Sequence, residues 1–252
     1  MPAMMYQNVQ AATGIETDRK CSVEFQVDGD FSELKTLDIS VYLYKVADVE
    51  ETGAYTALNG FQDLELDKEN SETTALEWEE MAAQASELIQ DQNIEPVETA
   101  VLENGAGTAR EMDTGMYLVE ARQVQSPEYT YSFTPYLLSL PNNYYSSTQD
   151  DTWVYDVTTG LKPKQELRYG SIQINKTLDT YNETLGETTF IFSVEAEKEN
   201  SQGIMENVYS DVVSLVFDGP GTKSVQVDNL PAGAQVTVTE VYSGASYELT
   251  TA

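Results

Sequence analysis

The chain has 252 residues and a formal net charge of −30, with 43 acidic side chains against 13 basic ones. A surface this acidic repels nucleic acid and anionic lipid, so neither is an expected partner. Histidine is absent and Cys21 is the only cysteine, which excludes an intramolecular disulfide and any catalytic site that needs an imidazole. No apolar run approaches the roughly 18 residues of a membrane helix, so no membrane insertion of the mature chain is expected.

The first 19 residues are interpreted separately from the rest of the chain. Met1–Ala12 is largely apolar and contains Val9-Gln10-Ala11, a small-residue pattern that is typical of signal-peptide cleavage sites. We interpret residues 1–19 as a signal-peptide remnant followed by a mature N-terminal extension, which predicts a secreted protein. The alternative is an ordinary disordered N-terminus.

Residues 20–164 are predicted to form one β-rich domain. Cys21–Val27 alternates strictly between apolar and polar residues, which is typical of a half-buried strand. Leu37–Val46 continues the same period of two. Further short strands, separated by Gly, Pro and Asn turns, are predicted at Tyr55–Phe61, Val97–Val101, Gly115–Glu120, Tyr131–Leu140 and Trp153–Thr158.

One segment of this domain changes from the period of a strand to that of a helix. Thr74 and Glu77 have the spacing of a capping box. An amphipathic helix over about residues 74–90 is therefore predicted, inserted between strands to cover one face or edge of the sheet. Its apolar face consists of Trp78, Met81, Ala82, Ala85 and Ile89.

A charged linker at 165–170 is predicted to lead into a second domain at 171–252. A sandwich that ended near Ala252 would have an unpaired edge, so we expect its closing strand to be missing from this sequence. The predicted fold class is all-β, with two tandem β-sandwich domains. Strands of the second domain are predicted at Ile172–Lys176, Thr188–Ala196, Val212–Phe217, Ser224–Val227, Gln235–Val241 and Tyr247–Thr250.

The boundary stretch Trp153–Lys164 is predicted to be a strand followed by an exit that Pro163 stiffens. Lys162 and Lys164 flank this proline. From the residues alone, each lysine is either a solvated linker charge or a nucleophile presented beside the end of a strand.

The order of several short motifs resembles that of known surface proteins. The second domain resembles the Cna B-type domains of Gram-positive surface proteins and pilins at Ile174–Lys176, Phe190–Val194, Tyr209–Phe217, Leu230–Gly233, Val238–Val241 and Gly244–Tyr247. The first domain resembles the N-terminal domain of SpaA-type backbone pilins at Val41–Asp48, Gly115–Val119, Phe133–Pro141 and Trp153–Val157. The resemblance implies that both domains are immunoglobulin-like sandwiches.

This resemblance implies a non-enzymatic structural subunit of a sortase-assembled pilus or wall-anchored fibre on a Gram-positive cell surface. Its expected partners are a sortase and neighbouring pilin subunits, and no cofactor is expected. Two alternatives fit the same sequence. One is a wall-anchored adhesin that binds a host surface protein or glycan without polymerising, and the other is a set of accessory domains in a secreted carbohydrate-active enzyme.

The resemblance assigns a role to the boundary stretch. In the family's pilin motif, a Trp and a Val precede a lysine that attacks the sortase acyl-enzyme and so joins the next subunit. Trp153 and Val157 match this motif, and Pro163 precedes Lys164 as a proline precedes the family lysine. Lys162 keeps the shorter family spacing, so both lysines are candidates for the linkage.

The resemblance also implies an intramolecular Lys–Asn isopeptide bond in the second domain. The family lysine on the first strand corresponds to Lys176, and the family catalytic acid corresponds to Glu240. A dry pocket lined by Phe190, Phe192 and Phe217 would favour a neutral amine and a protonated carboxyl group. The alternative is that Lys176 is an edge-strand charge and Glu240 a surface carboxylate.

The Asn partner of this bond is expected on the closing strand. Asn175, Asn207 and Asn229 do not stand at family positions, so the bond is predicted to be absent from the 252-residue chain. Lys20 precedes the opening strand of the first domain, and no cross-link is predicted there.

Two groups of acidic residues could in principle hold calcium through their carboxylates. Asp28, Asp30 and Glu33 stand close together in one predicted turn, and Asp150 and Asp151 are adjacent. Neither spacing matches a standard calcium-binding loop, so no metal site is predicted.

Overall fold

A computed structural model of the protein describes residues 14–27, 29–66, 74–143, 152–244 and 247. Three expectations concern residues outside this part of the chain. They are most of the N-terminal extension (residues 1–13), most of the last predicted strand (residues 248–250) and the closing strand expected after it.

The described chain forms two compact units, and strands dominate both of them. Unit 1 contains the residues up to Val124 together with Tyr131–Lys164, and unit 2 contains Gln125–Thr130 together with the residues from Gln165 onward. The element order is mainly β in each unit, which confirms the predicted all-β class.

Unit 1 has two main sheets. Its strands are β1 (Cys21–Gln26), β2 (Ile39–Val49), β3 (Tyr55–Ala57), β4 (Glu98–Leu102), β5 (Ala106–Met112), β6 (Gly115–Ala121), β9 (Tyr136–Leu140), β10 (Asn142–Asn143), β11 (Trp153–Val154) and β12 (Asp156–Gly160). One sheet has the order β12–β1–β5, and the other has the order β3–β2–β6–β9 with β4 also paired to β2. Three more strands continue across the division of the chain: β7 (Val124–Gln125), β8 (Tyr129–Phe133) and β13 (Pro163–Leu167).

The core of unit 1 follows from the alternation of its strands. Val23 and Phe25 of β1 are fully buried, as are Val41 and Leu43 of β2, because every second residue of a strand faces the same side. Cys21 belongs to the buried face of β1, and its burial raises the pKa of the thiol to about 11. The cysteine is therefore a core residue with little thiolate at neutral pH.

The predicted helix is confirmed as α1 (Ala75–Gln92). The Thr74 hydroxyl accepts a hydrogen bond from the Glu77 backbone N–H, and the Glu77 carboxylate accepts one from the Thr74 N–H at 2.7 Å, which completes the capping box. The helix ends at Asn93, whose left-handed backbone allows its N–H to bond to the last turn. Its buried face is the predicted one and consists of Met81, Ala82, Ala85 and Ile89, with Trp78 partly buried beside it.

One helical segment was not predicted. Residues Gly29–Thr36 form a 3₁₀ helix where the sequence indicated only a turn. Leu34 is fully buried in this segment, so the segment covers part of the core of unit 1.

The boundary stretch also differs from the prediction. The single strand expected over Trp153–Thr158 is divided into β11 and β12 at Tyr155. The expected linker at 165–170 is mostly strand, because β13 runs to Leu167 and the next strand begins at Tyr169.

Unit 2 is a two-sheet sandwich. β14 (Tyr169–Leu178) pairs with β17 (Gly221–Pro231), while β15 (Thr188–Glu199) lies between β16 (Met205–Phe217) and β18 (Gln235–Tyr242). Phe190 and Phe217 pack edge to face in the core, with 5.4 Å between ring centroids. The other buried core residues come from both sheets and include Ile174, Leu178, Phe192, Val194, Ala196 and Val227.

The segment Gln125–Thr130 is part of unit 2, although the sequence placed it inside the first domain. The Arg168 backbone N–H donates to the Glu128 carbonyl at 2.8 Å, and the Arg168 guanidinium donates to the Ser126 carbonyl at 2.6 Å. The Lys198 ammonium lies 2.6 Å from the Glu128 carboxylate. Residues far from this segment in the sequence therefore fix its position in unit 2.

Replacing Thr74 with alanine should lower the free energy of unfolding of unit 1 by about 1 kcal/mol, because it removes the N-cap of α1. Both tryptophans, Trp78 and Trp153, lie in unit 1, so urea unfolding followed by tryptophan fluorescence measures this unit. The control is Leu76→Ala in the same helical turn, where the side chain is 64 % exposed and the change should stay below about 0.5 kcal/mol. Equal losses in the two variants would contradict a role for the cap.

Candidate functional site

Lys176 and Glu240 are placed by two different sheets of unit 2. On β14, Ile172, Ile174 and Lys176 lie on the inward face, because they are two residues apart. On β18, Glu240 stands directly opposite Phe192 of β15. The two charged side chains are 64 residues apart in sequence and meet between the sheets.

The pair has the geometry of a close, partly desolvated ion pair. Lys176 Nζ lies 2.8 Å from Glu240 Oε2 and 3.1 Å from Oε1. The two side chains are only 14 % and 20 % exposed, respectively. Neither is a free surface charge, although β14 pairs only with β17 among the described strands and Lys176 therefore lies on an edge strand.

An aromatic ring contacts the lysine of this pair, and two further rings pack against that ring. Lys176 Nζ lies 4.7 Å from the centroid of the Phe190 ring, which is within the range of a cation–π contact. Phe190 also packs against Phe217 and Tyr247. The structure thus brings together both predicted site residues and the expected aromatic side chains.

This arrangement can move a proton over a short distance. Lys176 Nζ lies 2.8 Å from the nearer Glu240 oxygen, which is a distance over which a proton can pass between an amine and a carboxylate. The site therefore contains a potential nucleophile and a general acid–base partner already in hydrogen-bonding contact.

The three asparagines that do not stand at family positions are not hydrogen bonded to the Lys176 ammonium either. Asn175 lies on the opposite face of β14 and accepts a hydrogen bond from Ser224 at 2.6 Å. Asn207 accepts one from Ser210 at 3.1 Å, and Asn229 is an exposed residue with a left-handed backbone. Within the described residues, no asparagine is hydrogen bonded to the Lys176 ammonium.

The predicted pilin-motif residues lie on successive short strands of unit 1. Trp153 is half-buried in β11, and Val157 is buried in β12. Val157 pairs with Val23 of β1 in parallel register. Because β12 is an outer strand of this sheet, its path determines where the following residues leave the sheet. Pro163 then begins β13.

The two candidate lysines differ in their surroundings. The Lys162 ammonium lies 3.8 Å from the Glu79 carboxylate and 5.6 Å from the centroid of the Tyr136 ring. The Lys162 carbonyl accepts a hydrogen bond from the Thr134 N–H. Lys164 is exposed on β13 and has no ion pair or ring contact with any residue that the structure describes.

Sequence reasoning missed Tyr155, which anchors the same stretch. Its hydroxyl accepts a hydrogen bond from the Glu16 N–H at 2.7 Å, and the Arg19 guanidinium lies 4.0 Å from its ring centroid. Its carbonyl accepts a bond from the Ser22 N–H. The only available signal was the alternation of aromatic and apolar residues at 153, 155 and 157.

The acidic clusters do not form a metal site in the described chain. Asp28, Asp150 and Asp151 lie outside the described residues, and Glu33 accepts a hydrogen bond from the Tyr131 hydroxyl at 2.6 Å. No group of three or more acidic or cysteine side chains in the described ranges is arranged to hold a metal ion. Neither helix in these ranges combines the length and the apolar character needed to cross a membrane.

Comparison of the sequence with known families gives one match. Residues 172–252 match a family described as a domain of unknown function (DUF5979), which covers less than half of the chain. No curated protein matches the sequence.

Comparison with solved structures gives several pilins. The major pilin SpaD of Corynebacterium diphtheriae is 16 % identical with a TM-score of 0.38, and the match covers 87 % of this chain and 58 % of SpaD. The T6 backbone pilin of Streptococcus pyogenes is 12 % identical with a TM-score of 0.37, over 85 % of this chain and 55 % of that pilin. The major pilin SpaA of C. diphtheriae is 14 % identical with a TM-score of 0.32, over 92 % of this chain and 66 % of SpaA.

These pilins are the class of protein that the sequence resembles. The chain spans between 55 % and 66 % of their lengths. Because every TM-score is below 0.5, the similarities carry no argument about function.

The change Glu240→Gln should lower the free energy of unfolding of unit 2 by about 1–3 kcal/mol, because it leaves the partly buried ammonium of Lys176 without its counter-ion. Native-state hydrogen exchange of the amides in β14 and β15 measures this cost locally. Glu195→Gln is the control, since Glu195 is exposed on β15.

The double variant Lys176→Met with Glu240→Gln should recover most of that loss, because no unpaired charge remains. If Glu240→Gln costs no more than Glu195→Gln, the ion pair does not stabilise unit 2.

Proposed function

We propose that this protein is a structural subunit of a covalently assembled fibre on the surface of a Gram-positive bacterium. The observation that carries the proposal is the Lys176–Glu240 pair, held 2.8 Å apart between two sheets and against the Phe190 ring. Such a pair suits the formation of a permanent cross-link better than a surface salt bridge does, because its charges are partly removed from water. A fibre that bears load gains from a cross-link that does not depend on cysteine.

The cross-link would be an isopeptide bond that forms once. Glu240 takes a proton from the Lys176 ammonium, and the neutral amine attacks the side-chain carbonyl carbon of an asparagine. Glu240 returns the proton to the carboxamide nitrogen, the bond from the carbonyl carbon to this nitrogen breaks so that ammonia leaves, and Glu240 takes the second proton from the attacking nitrogen. The products are an amide and one ammonia, and the site does not turn over.

The asparagine would come from a strand beside β14. Among the described strands, β14 pairs only with β17, so its other edge is available to a further strand. A bond between that strand and Lys176 would join two ends of the domain and restrict the unfolded chain, as a disulfide does.

Assembly would proceed through Lys164 in the boundary stretch. Its amine would attack the acyl group of a neighbouring subunit held on the sortase, and the enzyme would leave as the new amide forms. Both side chains are exposed, but Lys164 suits this role better because it has no ion pair or ring contact within the described chain, whereas Lys162 lies near Glu79 and Tyr136. The partners are thus a sortase and further subunits, and secretion follows from this role.

Lys164→Ala should abolish the high-molecular-weight ladder that covalent polymers form on a denaturing gel. In cells that carry the complete gene and its sortase, Lys162→Ala should leave the ladder at close to its original intensity. Both variants remove one lysine from the same stretch, so each serves as the control of the other. A ladder that survives the double variant would show that this stretch is not the nucleophile, whereas the absence of a ladder from the unaltered protein would favour an adhesin that does not polymerise.

Mass spectrometry under denaturing conditions tests the cross-link. The 252-residue chain should have the mass of its sequence, whereas a longer form that includes an Asn-bearing strand should be lighter by one ammonia, about 17 Da. Lys176→Ala and Glu240→Ala should each restore the full mass of the longer form. An unshifted mass of the unaltered longer form would refute the bond while leaving assembly through Lys164 untouched.

A further inference from the structure

Unit 1 contains a cleft that neither the pair of Lys176 and Glu240 nor the boundary lysines use. Its volume is about 380 Å³, which is within the range of small-molecule sites. Aromatic and polar side chains line it together: Tyr42, Tyr44, Phe133, Ser86, Glu120 and Arg122.

Two strands of one sheet form the floor of this cleft. Tyr42 and Tyr44 are two residues apart on β2, so their rings lie on the same face, with Cα atoms about 7 Å apart. Glu120 of β6 stands directly opposite Tyr42 in antiparallel register and therefore shares that face. All three side chains are half-buried, so each keeps part of its surface open to a ligand.

The polar groups of the cleft have unused hydrogen-bonding capacity. Ser86 donates to one oxygen of the Glu120 carboxylate, which leaves the second oxygen free to accept. The hydroxyls of Tyr42 and Tyr44 and the guanidinium of Arg122 make no hydrogen bond or ion pair with the part of the chain that the structure describes. Burial and the nearby Glu120 charge raise the pKa of Tyr44, so its hydroxyl remains a donor at neutral pH.

We propose that this cleft binds a neutral saccharide. A pyranose ring presents an apolar face that can stack on tyrosine, while its hydroxyls can both donate to Glu120 and accept from Arg122. Glu120 and Arg122 balance each other, so the cleft does not select a charged ligand. The formal charge of −30 on the chain disfavours an anionic one.

This inference does not depend on covalent assembly. The cleft lies within unit 1, and none of Lys162, Lys164 and Lys176 lines it. Failure of the polymerisation experiment would therefore not contradict the saccharide site. Failure of the saccharide titration would likewise not contradict covalent assembly.

The test is a titration of the ¹⁵N-labelled protein with free neutral disaccharides: lactose, N-acetyllactosamine, cellobiose, maltose and chitobiose, each up to about 20 mM. At least one sugar should shift the amide signals of β2 and β6 around the cleft in a saturable manner. No saturable shift with any of the five sugars would overturn the proposal, as would shifts confined to residues outside the cleft.

Variants then assign the binding to the cleft. Tyr42→Ala and Glu120→Gln should each weaken the affinity for the bound sugar by about tenfold or more. The matched controls are Tyr169→Ala, at a tyrosine that is 61 % exposed in unit 2, and Glu111→Gln, at an exposed acid on β5.

Arg122→Gln should also weaken binding, whereas Arg110→Gln on β5 should not. Amide spectra without sugar confirm that each variant is folded. Equal affinity in the cleft variants and their controls would show that the sugar binds elsewhere, and would overturn the assignment.

Discussion

The ion pair between Lys176 and Glu240 sets what unit 2 can do chemically. Two oppositely charged groups taken partly out of water are stable only while they remain paired, so the two sheets that carry them must keep their spacing. The same contact places the Lys176 amine at a distance from the Glu240 carboxylate over which a proton can pass. A single contact therefore links the packing of the sandwich to the reaction that we propose for it.

A small number of contacts also fixes the boundary stretch of unit 1. Parallel pairing of β12 with β1 and the hydrogen bonds of Tyr155 hold the chain up to Gly160. Beyond it, Lys162 lies close to Glu79 and Tyr136, and Lys164 extends into solvent. Both lysines beside Pro163 are exposed, and they differ in their contacts with neighbouring side chains. The tyrosine-lined cleft of the same unit adds a feature that depends on β2, β6 and α1 together.

Local patterns predicted many of the elements. The alternation in Cys21–Val27 and the capping box at Thr74 and Glu77 are short-range signals, and the structure contains the strand and the helix that they indicate. Prediction was wrong where a distant contact decides the outcome. The 3₁₀ helix Gly29–Thr36 forms over a core that places Leu34 inside. The strand at Trp153 is divided at Tyr155, whose hydroxyl and carbonyl accept hydrogen bonds from Glu16 and Ser22.

The amino-acid sequence by itself determined the all-β class and the inserted helix, because period and caps are local properties, and its resemblance to pilin domains indicated the reactive candidates. Tertiary structure alone decided that Lys176 and Glu240 meet, since 64 residues separate them and only the packing of two sheets brings them within 2.8 Å. It likewise placed Gln125–Thr130 in unit 2 and left Lys164 exposed. Contacts between distant residues depend on the path of the whole chain, which no short window of sequence contains.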